Sequence, residues 1–225
     1  MSRFFAGFLV VAFVFATGSA QAAGSGAVGG SSMPSSSAAR PRTPEQMASS
    51  AYKSGQKYRK RAEKYERKAA AADNEKSRTK YADKASTQYE KSIEKYLQAY
   101  AYNNSFHEAL NELGYAYRKT GDYDNAIRAY NTALKVKPDY SRAIEYRGEA
   151  YLALGLFEKT KDSYMLLFRS DQDQAALLME AMQSWLAGTG DSPTVEADAF
   201  ASWVEERSAL AGGMQTLSMN NRRDW

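Results

Sequence analysis

When the chain is shifted forward by 34 residues, the stretch from 107 to 140 falls on a copy of itself. Leu110 meets Ile144, Gly114 meets Gly148, Ala116 meets Ala150, Tyr117 meets Tyr151, Gly121 meets Gly155, Tyr123 meets Phe157 and Tyr130 meets Tyr164. A backward shift of 34 places Tyr123 on Tyr89, Ile127 on Ile93, Tyr130 on Tyr96 and Ala133 on Ala99, so the second half of an earlier copy is present too. A period of this length marks a chain in which one supersecondary unit stacks on its neighbours, because a single unit cannot cover its own apolar face. The body is made of helix formers, with few Gly or Pro and no alternating apolar pattern, so the unit is helical and the fold class is all-α.

The segment NELGYAYRKTGDYDNAIRAYNTALKVKP closely resembles the tetratricopeptide repeat, with its Leu-Gly-x-x-Tyr start, its Ala and aromatic positions and its closing Pro. The resemblance implies a right-handed solenoid of helix-turn-helix repeats. Within it Gly114 allows the paired helices to approach, and Tyr117, Ala126, Tyr130 and Ala133 fill the seam. Gly121 and Asp122 make the turn, and Pro138 ends the second helix. Departures grow outward: Thr160 stands where the first repeat has Ala126, and Gln172 where it has Pro138.

Local signals outline about eight helices. Thr43, Pro44 and Gln46 form a capping box with Pro at the first helical position, and Ser105 with Glu108 suggests another. Asp139 or Ser141, Asp171 or Asp173, and Ser192 before Pro193 mark further starts. The first helix carries Ala51, Gly55, Tyr58, Ala62, Tyr65, Ala69 and Ala72 as a seam. Its partner, from about Glu75 to Asn103, faces it with Ala82, Ala85, Tyr89, Ile93, Tyr96 and Tyr100, across a turn near Asp73 and Asn74. Leu177, Leu178, Met182, Trp185 and Leu186, followed by Phe200, Trp203 and Val204, read as a closing pair that covers the apolar end.

The expected organisation is a signal peptide over 1–22 and a flexible Gly/Ser-rich linker over 23–42. An N-terminal helical pair with a partial repeat then spans 43–106, two repeats 107–172, a capping pair 173–211 and a disordered tail 212–225. Arg3, the apolar run from Phe4 to Ala16, and Ala20 and Ala22 make up the basic start, core and small-x-small site of a secretory signal. The run is shorter than the roughly 20 residues of a membrane span. The expectation is therefore a periplasmic protein with no transmembrane span after cleavage, although full secretion would use the same signal.

No catalytic set is visible. The chain has no Cys and a single His, which excludes a disulfide framework and a Cys-ligated zinc site and leaves His107 without companions for a metal. Asp122-x-Asp124 and Asp171-x-Asp173 lack the Gly and distal Glu of a calcium loop, and Gly24 to Gly30 lacks the Lys-Ser/Thr of a phosphate loop. No enzyme, metal or cofactor is expected. Charge is uneven: residues 40–101 carry 16 basic and 8 acidic residues, whereas 102–225 carry 13 and 18.

The resemblance implies that first helices line a concave surface that takes a protein or peptide partner. Carried onto this chain, the surface comprises Glu108, Asn111, Glu112, Tyr115, Arg118 and Lys119, then Arg142, Glu145, Tyr146 and Glu149. It lacks the Lys-and-Asn clamp by which some family members hold a terminal carboxylate. The functional expectation is a non-enzymatic scaffold or adaptor in the bacterial cell envelope. The alternative is a module that binds an anionic envelope polymer or membrane surface through a basic stripe on the first helix, Lys57, Lys60, Arg61, Lys64 and Lys68. Nucleic acid is not an expected partner for an exported chain of modest net charge.

Overall fold

The computed structural model describes residues 41–188 and 194–221; side chains are described as far as residue 210. The expected signal peptide lies outside these residues, as do most of the linker, the Ser192-Pro193 helix start and the last four residues. The described residues form eight helices and no strand. They are α1 (Pro44–Ala70), α2 (Glu75–Tyr102), α3 (His107–Lys119), α4 (Tyr123–Val136), α5 (Ser141–Ala153), α6 (Phe157–Ser170), α7 (Gln172–Gly188) and α8 (Val195–Asn221).

Each helix packs on the next, and α5 also packs on α7. Consecutive hairpins therefore stack into an array, with the α1–α2 pair at one end and the α7–α8 pair at the other. The first hairpin joins the array through α2 against α3. Its helices have 27 and 28 residues, against 13 and 14 for α3 and α4.

The helix starts follow local chemistry in most places. Thr43 and Gln46 close the expected capping box, with Thr43 N donating to Gln46 Oε1 at 3.0 Å and Gln46 N donating to Thr43 Oγ1 at 3.3 Å. Asn74 caps α2 by accepting from Ser77 N at 2.9 Å, and Asp122 caps α4 by accepting from Asn125 N at 3.2 Å. Asp171 and Thr194 serve α7 and α8 in the same way. Two expected caps do not form. Phe106 and Tyr140 occupy the N-cap positions of α3 and α5 without a side-chain bond. Ser105 N instead donates to Asn103 Oδ1, and both N-cap rings turn inward against neighbouring apolar groups. Burial of a large ring outweighs the roughly 1 kcal/mol that a cap contributes. Gly121 and Gly155 adopt φ of 80° and 68°, the left-handed turns after α3 and α5.

The core is continuous with the repeat. Tyr89, Tyr96, Tyr130 and Leu167 are almost fully buried between paired helices, while Leu178, Met182, Phe200 and Val204 close the far end. Leu177, expected in that closure, is exposed, because it lies on the opposite side of α7 from Leu178 and Met182. Helix α8 continues past residue 211, where the sequence suggests a tail, and reaches Asn221.

Candidate functional site

The first helices of successive hairpins, α1, α3 and α5, lie side by side, with α7 next to α5. Helical phase sends Glu108, Asn111, Tyr115 and Arg118 along one face of α3, at spacings of three and four. Glu145 and Glu149 follow the same rule on α5.

Tyr115 is the meeting point. Its ring lies 5.4 Å from that of Tyr146 on α5 and 6.2 Å from that of Tyr89 on α2. The Arg59 guanidinium of α1 sits 5.4 Å from the Tyr115 centroid; that of Arg118 is 5.5 Å from Tyr115 and 5.3 Å from Tyr146. Rings and guanidinium planes thus alternate across three helices, an arrangement in which the π-faces offset the cost of removing the cations from water.

Carboxylates close the lattice from the other side. Glu112 Oε2 is 3.2 Å from Arg59 Nε, and Glu149 pairs with Arg118. Glu66 of α1 ties three helices together: it accepts from the Tyr89 hydroxyl at 2.9 Å and pairs with Lys119 Nζ at 2.7 Å. Burial and the neighbouring Glu149 raise the Glu145 carboxyl to about 9, so that it holds its proton at neutral pH. Burial also raises Glu112 above the usual carboxylate range, against the pull of Arg59 and Arg142. Burial works to lower Arg59 and Arg118, but Glu112 and Glu63 hold the first above its ordinary value and Glu149 with Tyr130 holds the second. Tyr52 and Tyr146 are both pushed up to about 12, chiefly by burial and then by Glu112 and Glu145 respectively.

The ten residues of the expected surface divide into rim and floor. Arg142 and Lys119 are exposed, and Glu108 is half-buried, 3.2 Å from His107 Nδ1. Tyr115, Arg118, Tyr146 and Glu149 are half-buried walls. Asn111, Glu112 and Glu145 are buried, with 0%, 5% and 2% of their surface exposed, so they form the floor and not the contact surface that the sequence suggests. Neighbouring first helices cover them, and the period of one chain segment does not show which helix lies beside it.

Beyond Arg118 the surface opens into a cavity of about 370 Å³, lined by Arg118, Lys119, Tyr123, Glu149, Leu152, Ala153, Ala181 and Trp185. Its volume lies at the lower end of the range for ligand pockets, roughly 300–1,000 Å³. One wall is paired charge and the other, from α7, is apolar. Sequence reasoning places Trp185 only in the cap and omits Arg59, Glu66 and Tyr52 of α1 from the surface. The available signal is Gly55, which plays in α1 the part that Gly114 plays in α3.

The basic stripe lies elsewhere. Lys57, Lys60, Arg61, Lys64 and Lys68 are all exposed, roughly half a turn of helix away from Arg59 and Glu66. Among the described residues, no helix is long and apolar enough to cross a membrane, and no group of three or more His, Asp or Glu is placed to hold a metal ion.

Residues 107–140 match the tetratricopeptide repeat family. Among solved structures, the chain is similar to the first TPR of Spaghetti (RPAP3) bound to the HSP90 peptide SRMEEVD, at 18% identity and a TM-score of 0.47, covering 62% of this chain and 96% of that one. It is also similar to the second TPR domain of human RPAP3 in complex with the HSP70 peptide SGPTIEEVD, at 20% identity and a TM-score of 0.47, covering 61% and 97%. No curated protein matches the chain.

Proposed function

We propose that this tetratricopeptide-repeat protein is a non-enzymatic scaffold that holds a peptide segment of a partner protein against its first helices, and that it works in the cell envelope. The cavity shared by Arg118, Lys119, Glu149 and Trp185 carries the reading, because it joins the aromatic and guanidinium surface of α1, α3 and α5 and leaves room for side chains of a bound segment. The ion pairs leave little net charge to attract a ligand over distance. Recognition is therefore short-range: an apolar side chain of the partner packs on Trp185, and its backbone meets the polar wall. The envelope placement rests on the signal-like segment at 1–22.

The test is to select peptides of about 12 residues from a displayed random library against the protein and measure binding to wild type and Ala181→Leu. Ala181 lines the cavity and is half-buried on α7, so Leu fills the space while preserving the helix. Affinity should drop at least about tenfold in the filled variant and stay unchanged when Lys57 and Lys64 are replaced by Gln. Equal binding to wild type and Ala181→Leu would sink the reading. Loss of binding only in the lysine variant would move the site to the basic stripe and favour an anionic polymer or membrane surface.

A further inference from the structure

The array is an electrostatic dipole along its own length. The first hairpin, residues 44–102, carries 14 basic and 8 acidic residues; the middle, 103–171, carries 10 of each; the last hairpin, 172–221, carries 1 basic and 7 acidic. The ends thus hold formal charges of +6 and −6 around a neutral centre.

These charges are unspent. Among the described residues Lys57, Arg61, Lys64, Lys68 and Lys84 are exposed and none has a carboxylate within ion-pair distance. Lys68 and Lys84 lie over the Tyr65 ring at 6.0 and 5.7 Å, and Tyr65 stacks on Tyr81 at 6.4 Å. This end of the array therefore presents cations seated on aromatic rings. At the other end Glu180, Asp198, Glu205 and Glu206 are exposed and equally without a cation. Glu205 rims an open cleft of about 480 Å³ between α7 and α8, whose walls include Leu186, Val204 and Ala201. Cations and rings at one end face carboxylates and an apolar cleft at the other.

We infer that the occupant of each end is the opposite end of a second copy of this chain. Pairing of like ends would set charge against like charge, so the contact is head to tail. A head-to-tail contact is heterologous: each copy added presents a fresh end, so assembly does not stop at two unless the rotation closes a ring. The peptide groove lies along the side of the array and stays open in such an assembly.

The experiment is sedimentation velocity of the full chain at about 50 mM and about 500 mM salt, where the screening length falls roughly threefold. Two variants accompany it: a neutralised head (Lys57→Glu, Arg61→Glu, Lys68→Glu) and a neutralised tail (Glu180→Lys, Glu205→Lys, Glu206→Lys). Wild type should form a concentration-dependent series beyond the dimer at low salt, with apparent association at least about tenfold weaker at high salt. Each variant alone keeps one charged end and has no oppositely charged end to meet it, so it should be monomeric; mixing the two reunites an intact head with an intact tail and should restore association. As a check independent of the variants, zero-length carbodiimide crosslinking of mixed isotope-labelled and unlabelled wild type should join Lys68 or Lys84 of one copy to Glu205 or Glu206 of another. Monomeric wild type at low salt, a species that stops at a two-fold dimer, or association indifferent to salt would each overturn the inference. So would a mixture of folded variants that stays monomeric, or crosslinks that never join the two ends. Binding of dextran sulfate, used as an anionic probe, to a wild type that does not self-associate would assign the basic end to an anionic polymer instead.

Discussion

Gly114 and Tyr130 touch so closely that no side chain fits between them: a Cβ on Gly114 would stand 2.6 Å from Tyr130 Cε1. Gly55 and Tyr96 repeat the relationship in the first hairpin, at 2.5 Å. In both pairs the ring is fully buried, so its apolar area is removed from water only because the glycine lets the helices close over it. At Gly148 the groups facing the glycine are Leu178 of α7 and Ser163, and the aromatic partner is lost.

From this packing, Gly114→Ala should destabilise the protein. Overpacking a tight core contact costs roughly 1–3 kcal/mol, and the better helix propensity of Ala returns up to about 1 kcal/mol. The expected net loss in urea denaturation is about 1–2 kcal/mol. A Gly114→Ala, Tyr130→Leu double variant should lose less than the two single changes added together, the signature of direct contact.

Glu145 gives the fold a pH dependence. Its folded-state value lies above that of the unfolded chain, so the native state binds the extra proton between the ordinary carboxylate range and about 9. The stability it contributes is full below the unfolded value and is lost as pH rises through the folded one. Glu145→Gln keeps the shape without the titration. Its stability relative to wild type should therefore improve steadily as pH is raised from about 5 to about 9, with a ceiling near 1.4 kcal/mol per pH unit. A difference independent of pH would mean that Glu145 is ionised in the folded state.

The Arg59–Glu112 pair fastens the first hairpin to α3. Glu112→Leu leaves Arg59 half-buried with Glu63, 3.4 Å away, as its remaining carboxylate and should cost about 1–3 kcal/mol. The Arg59→Met, Glu112→Leu double variant should recover most of that loss, because neither charge then remains to be solvated. Thermal unfolding of the four proteins of the cycle measures the coupling directly.

Much of this architecture is legible in the residues because the repeat imposes one pattern at every level. Positions that match under a shift of 34, such as Gly114, Ala116, Tyr130 and Ala133, are buried in the fold. The first helix escapes that pattern for a physical reason. The longer α1 and α2 preserve the Gly55–Tyr96 contact but push Gly55 out of register with Gly114, so the shift aligns Tyr89, Ile93, Tyr96 and Ala99 of α2 with α4 and sets no residue of α1 against α3. The site is less legible. Whether Asn111, Glu112 and Glu145 face solvent depends on the helix packed beside them, which no periodicity within their own helix reports. Trp185 illustrates the same limit: its ring stacks edge-on to Phe157 at 5.3 Å, as a capping residue should, and also lines the cavity.

That double role provides the most direct test of the groove. The chain has three Trp, and each gives one indole N–H resonance in an ¹⁵N correlation spectrum. Trp185 lines the cavity, whereas Trp203 packs on Tyr164 at 5.5 Å and lies beneath Lys161 and Arg207, outside it. On titration with a selected peptide, the Trp185 resonance should move in proportion to occupancy while that of Trp203 holds its position. A peptide that binds and shifts Trp203, or leaves Trp185 unmoved, would contradict the account.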